Sequence, residues 1–272
     1  MFKNKNEYKF TYNNNTYIFM PQERGEVELI EINSYIENSN IYDKILKNIY
    51  NKLYTTINNK NYILVKKNKP MGILNSILNA KRIDMIYNYS GSINRSNWGF
   101  LWCKKVDYIE YELLHINNKY KIITNSIWYY IGMAETAISY IYDNDSNNDL
   151  VISHKRICKD NFNNPNNIII DNRSRDISEY LKYIFFNNNY DYTKIKELLS
   201  KINGNYSFYR LMYGRMFFPT FYFDIYDEII NERENEEKLK KVINRFQEYE
   251  DYLKNIYKII IEFIDIPEIT WI

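Results

Sequence analysis

A chain of 272 residues, 45% of them hydrophobic and 26% charged, carries enough apolar surface to bury a sizeable core, which excludes wholesale disorder. Its 36 basic and 34 acidic residues leave a net charge of +2, without the basic excess by which a dedicated nucleic-acid binder grips phosphates, so no nucleic-acid partner is expected. Two cysteines, Cys103 and Cys158, are too few for a disulfide scaffold, and with His115 and His154 they form no zinc-ligand spacing.

The first seventy residues read as a small α+β unit. Residues 8–20 alternate like two strands joined by an Asn turn, since Asn tolerates positive φ. Residues 22–37 read as a helix, and residues 48–57 and 61–66 as a second hairpin across Asn58-Asn59-Lys60. Lys69-Pro70-Met71-Gly72 then punctuates the chain. We place a lobe boundary there, giving an N-lobe of hairpins plus one helix over 1–69 and a helical C-lobe over 70–272.

From Trp98 the apolar positions Leu101, Trp102, Val106, Ile109, Leu113 and Ile116 recur at steps of three and four, the signature of an amphipathic helix. A second helix carries Ile123, Ile127, Ile131, Ala134, Ile138 and Ile141 on one face. Two β-like runs follow, 150–152 and 168–170, separated by a polar loop over 153–167 that is long enough to suggest a functional role. A helix starts near Asp176, an acid that complements the helix dipole. Helices over 192–202, 206–230 and 234–264 complete the chain. The last has a stripe of Leu239, Ile243, Phe246, Tyr249, Leu253, Ile256, Ile260 and Phe263, read as a packing face.

Composition cautions against motif counting. The 40 Asn, 29 Tyr and 3 Ala are what AT-rich coding writes, so Asn runs carry no functional weight. The start, MFKNKNEYKF, lacks an apolar run after its charges, and no charge-free stretch, 122–134 included, reaches the ~20 apolar residues of a membrane span. The expectation is a protein made in the cytoplasm without a signal peptide or membrane span.

A strand, a polar loop opening on His154, a second strand ending in Asp171 and then a helix is the order of protein-kinase-like catalytic lobes. There a loop H-x-D-x-x-x-x-N supplies a base and a metal ligand, and a later Asp binds Mg²⁺. Here His154 opens the loop, Asn161 falls five residues after Arg156, and Asp171 follows three isoleucines. Asn161 and Asp171 are thus the candidate metal ligands, working or vestigial. The base is missing, because Arg156 stands in its place and an arginine cannot accept a proton. Asp160 lies nearby as an alternative base under a different loop geometry. The first hairpin has no glycines to cradle phosphates, and Tyr17-Ile18-Phe19-Met20 offers no N-lobe Lys. No catalytic residue is therefore assigned to the degenerate loop His154, Arg156 and Asp160. A loop histidine and a turn aspartate are the plainer alternatives for His154 and Asp171.

Several runs carry a family likeness: WGFLWCKKVDYIEYEL (98–113), WYYIGMAETAISY (128–140), NNPNNIIIDNRSRDISEYLK (163–182), RLMYGRMFFPTFYFDIYDEI (210–229) and the ending IPEITWI (266–272). Together they resemble the CotS/YutH-type spore coat kinase-like proteins of endospore-forming Firmicutes. Arg175-Asp176 and the closing Pro267 to Ile272 are the more specific pieces. The resemblance implies a two-lobe α+β fold similar to aminoglycoside phosphotransferases and choline kinases, ATP and Mg²⁺ as the cofactors of active members, and other coat proteins as partners in the spore coat. It also implies that Asp176 braces the catalytic-loop backbone. The first expectation is a pseudokinase acting through protein contacts in coat assembly or germination. The alternatives are an active phosphotransferase using Asp160, with Asn161 and Asp171 on Mg²⁺, and an interaction module without nucleotide, for which the aromatic segment 216–223 is where partners would dock.

Overall fold

Aromatic and β-branched residues separated by Asn write short strands, and four of them form an antiparallel sheet in the order β1-β2-β4-β3. These are β1 (Tyr8–Tyr12), β2 (Asn15–Pro21), β3 (Tyr54–Ile57) and β4 (Lys60–Lys66). Tyr12 pairs with Asn15 and Ile57 with Lys60, so each of the two expected hairpins is present. β2 and β4 are the inner strands, and β2 (NTYIFMP) contains no Lys or Arg. The computed structural model describes residues 8–12, 15–21, 54–57, 60–66, 73–78, 80, 97–116, 119–142, 149–158 and 167–272. The helix expected over 22–37, the Lys69–Gly72 boundary, Asp160 and Asn161 lie outside the described residues.

Contact density divides the chain into two units, Met1–Ser96 with Asn147–Asp176, and Asn97–Ser146 with Ile177–Ile272. The first holds the sheet, the short helix α1 (Ile73–Leu78) and a second, two-stranded sheet of β5 (Leu150–His154) and β6 (Ile168–Asn172). β5 and β6 are antiparallel, with Val151 opposite Asp171 and His154 opposite Ile168.

The second unit is helical in its described residues. Helix α2 (Trp98–Leu113) buries Trp98, Trp102, Val106 and Ile109, and α3 (Lys121–Ile141) buries Ile123, Ile127, Ile131, Ala134 and Ile141, while Leu101, Leu113 and Ile138 of the expected faces are only half-buried. Helix α4 (Ser174–Phe186) begins two residues after β6, and Asp176 lies in its first turn. Helix α5 (Tyr192–Ile202) is capped by Asp191, whose carboxylate accepts from the amides of Thr193 and Lys194.

Two of the expected long helices are broken. The one read over 206–230 is α6 (Tyr206–Phe217) and α7 (Thr220–Ile230). Pro219 has no N–H and pushes Phe218 into extended backbone (φ −65°, ψ 116°), so the helix ends there instead of kinking. The one read over 234–264 is α8 (Glu237–Ile243) and α9 (Phe246–Ile261), parted at Asn244-Arg245. Neither residue is a glycine or proline, and the apolar stripe hides the break. Its middle is core, with Leu253, Ile256 and Ile260 fully buried, but Phe246 and Phe263 at its ends are 41% and 39% exposed.

Helix α3 packs on α2 and α6, α8 on α3 and α7, and α9 on α5 and α6. Gly214 of α6 permits the close approach to α3, since a Cβ there would meet Ile141 Cγ2 at 2.5 Å. The core is unusually aromatic, and Tyr213, Met216, Phe217, Phe218, Tyr222 and Phe223 are all buried in it. The segment 216–223 is thus packed inside and is no docking surface, apart from the half-buried Phe221. Burial pushes the phenols of Tyr213, Tyr249 and Tyr252 well above the ordinary tyrosine value. The ending docks as well: the Tyr140 hydroxyl donates to Pro267 O at 2.7 Å, and Ile266 and Ile269 are buried. Among the described residues no helix is long and apolar enough to cross a membrane.

Candidate functional site

The β5–β6 hairpin and the first turn of α4 bring His154, Arg156, Asp171, Arg175 and Asp176 into one hydrogen-bonded cluster. The sequence does this with little chain. Only Arg173 separates the end of β6 from the start of α4, and the Asn172 side chain turns the backbone by accepting from Ser174 N (2.9 Å) and Ser174 Oγ (2.7 Å). The connection is tight, so the first helical turn stays beside the strand end.

Asp176 grips His154 twice. Its Oδ1 accepts the His154 backbone N–H at 2.9 Å, and its Oδ2 lies 2.6 Å from His154 Nδ1. Both side chains are buried, so each satisfies polar atoms that water does not reach. Position 156 is held by Asn167, the residue just before β6. Asn167 Oδ1 accepts from Arg156 N (3.0 Å), Asn167 Nδ2 donates to Arg156 O (2.8 Å), and Asn167 O accepts from Lys155 N (2.7 Å). Arg156 Nη1 turns back to Lys155 O at 2.7 Å. Sequence reading assigned no role to Asn167, because one Asn among five in the run 161–167 carries no signal.

Asp171 is fully buried. Its Oδ1 accepts from Asn172 N at 2.7 Å, and its Oδ2 takes a 2.5 Å charge-assisted hydrogen bond from Arg175 Nη1. Arg175 donates further, from Nε to His154 O (2.8 Å) and from Nη2 to Lys155 O (3.1 Å). The sequence contained this pair as an Asp and an Arg four residues apart across a one-residue turn, but a spacing of four has meaning only once the turn is known to be helical.

A kinase-like site implies a divalent cation at Asp171. Such an ion takes about six oxygen ligands. The acid on which it would sit is closed off from solvent, and its charge is met by a guanidinium. Among the described residues no three His, Cys, Asp or Glu side chains converge to hold a metal. The described donor set, arranged in this way, does not fit the ion. Cys103 is exposed and Cys158 half-buried, and both are free thiols.

A small antiparallel sheet, a hairpin carrying a His loop and a buried Asp, and a mainly helical remainder define the class: a protein-kinase-like phosphotransferase fold. An aminoglycoside phosphotransferase from Alicyclobacillus acidocaldarius subsp. acidocaldarius DSM 446 superposes with a TM-score of 0.65 at 9% identity, over 96% of this chain and 92% of that one. At that identity the likeness is one of fold. The profile of the family described as "Spore coat putative kinase YutH" matches residues 1–256, and the chain belongs to that family. The endospore coat-associated protein YutH of Bacillus subtilis (strain 168) is 25% identical over 207 residues, which cover 64% of this chain and 61% of that relative. The match therefore spans less than two thirds of the relative's length.

Proposed function

We propose that this protein is a pseudokinase of the spore coat, acting in coat assembly or germination through protein contacts. The observation that carries the reading is Arg156. By the spacing of the loop it stands where the base of an H-x-D-x-x-x-x-N motif would be, and Asn167 bonds its backbone N–H and C=O. A guanidinium there cannot accept a hydroxyl proton. Loss of general-base assistance alone costs roughly 10²–10⁴-fold in rate. The absence of a basic residue from β2 adds to this, since phosphoryl transfer depends on charge neutralisation around the phosphates. The relative's coat association supports a place in the coat, with other coat proteins as partners.

The test has two arms. Purified protein is incubated with γ-labelled ATP, Mg²⁺ and a spore coat extract, and transferred label is counted. The expected result is no transfer above a protein-free control. Transfer that disappears in Asp160→Asn would establish the active-enzyme reading instead, with Asp160 as base. In the second arm, tagged protein is cross-linked in sporulating cells. Recovery with coat proteins is expected, and a protein that stays out of the coat fraction defeats the proposal.

A further inference from the structure

We propose that Arg175 takes the place of the divalent cation at Asp171, so that the kinase-like hairpin carries a built-in protein cation and is independent of metal. The inference rests on the reading of residues 150–176 as a degenerate catalytic core and specifies what became of its metal site.

Four observations carry it. Asp171 is wholly buried, and a buried carboxylate must be matched by a cation or give up its charge. The match is made by Arg175 Nη1 at 2.5 Å, while the other carboxylate oxygen is used by the Asn172 amide. Arg175 also sits where a helix disfavours a cation, in the first turn of α4, at the positive end of the macrodipole. Helix preference therefore does not explain the residue, whereas three oxygen acceptors do. Finally, the guanidinium bonds His154 O and Lys155 O, so one side chain ties the acid to the loop backbone beside Arg156.

The two kinds of cation differ in what they need. Mg²⁺ is reluctant to lose water and demands octahedral oxygen ligation. A guanidinium is weakly hydrated, always charged and planar, and it suits a dry site with acceptors arranged around a fork. Admission of a metal ion to Asp171 would require Arg175 Nη1 to give up Asp171 Oδ2. The short β6–α4 connection fixes this outcome, because it sets Arg175 within reach of the strand it follows.

The experiment uses Mn²⁺ alone, without nucleotide, so that its failure is separable from the result of the phosphotransfer assay. Melting temperatures of the wild type are expected to be the same in millimolar MnCl₂ and in EDTA. Arg175→Met should melt roughly 10 °C lower in EDTA, because it strands a buried carboxylate, and should regain at least half of that loss in MnCl₂. The Mn²⁺ response should vanish in Asp171→Asn/Arg175→Met, where both charges are gone. A folded Arg175→Met that ignores Mn²⁺ overturns the proposal. So does a wild type that Mn²⁺ stabilises through a site removed by Asp171→Asn. If Arg175→Met is not recovered folded, water-proton relaxation titrations of the wild type and Asp171→Asn decide: superimposed Mn²⁺ curves support the proposal, and a wild-type site lost in the variant overturns it.

Discussion

Arg175 and Arg215 are both buried guanidiniums, and their surroundings share almost nothing. Arg175 is surrounded by oxygen: one carboxylate four residues back and two carbonyls of the loop that opens at His154. Arg215, on α6, donates from Nε to Glu179 Oε1 at 3.0 Å, and its guanidinium lies over indole rings, 4.7 Å from Trp98 and 5.8 Å from Trp102. Those rings are stacked on each other, and Trp102 stacks on Phe218. Glu179 also has Lys182 at 3.8 Å, and Lys182 donates to Phe218 O, near the break at Pro219. One arginine thus organises backbone and charge in a hairpin. The other is part of an aromatic core and holds two helices together through cation–π contact and a long-range ion pair. A buried ion of the first kind can be replaced by another cation; one of the second kind cannot.

The largest expected effect tests that difference directly. Arg215→Ala removes the ion pair and leaves a void against Trp98, and should cost about 3–5 kcal/mol in urea unfolding. No metal should rescue it, in contrast to the variant at Arg175. If Arg215→Met were as stable as the wild type, the ion pair would contribute nothing beyond packing, and the contrast between the two arginines would lose its electrostatic half. Asp176→Ala comes next. It removes the acceptor of two buried donors on His154 and should cost about 1–3 kcal/mol. Asp176→Asn keeps an oxygen for the backbone amide and should cost less. Amide hydrogen exchange at His154 is the sharper reading, since it should quicken in Asp176→Ala and stay slow in Arg215→Ala wherever that variant remains folded.

How far the sequence was legible follows the same division. The hairpin elements and the His154–Asp171–Asp176 order could be read because short β-branched runs and motif spacing are local properties. The pairing of Asp171 with Arg175 was local too, yet it is readable only once α4 is known to begin at Ser174, with only Arg173 between it and the end of β6. Nothing local announced Glu179 and Arg215, which are 36 residues apart and meet only because α4 and α6 pack. The break at Pro219 had a chemical marker. The one at Asn244-Arg245 had none, because apolar residues continue on either side at nearly helical spacing and periodicity cannot register a change of direction.

That hidden break yields, at Phe263, the smallest expected effect, and with Ile256 as its reference the cleanest check on how the helical unit divides its stripe. Ile256 and Phe263 belong to one apolar series in the sequence, seven residues apart. Helix α9 ends at Ile261, however, so Phe263 falls beyond the last turn and is 39% exposed, whereas Ile256 is sealed in the core. Ile256→Ala should therefore lose about 2–5 kcal/mol to transfer and cavity costs. Phe263→Ser should stay within about 0.5 kcal/mol, as expected of an exposed position outside any network. Urea midpoints of the two variants, measured at equal slope, read the difference. Equal losses would mean that α9 runs on past Ile261 in solution and that the stripe is continuous after all.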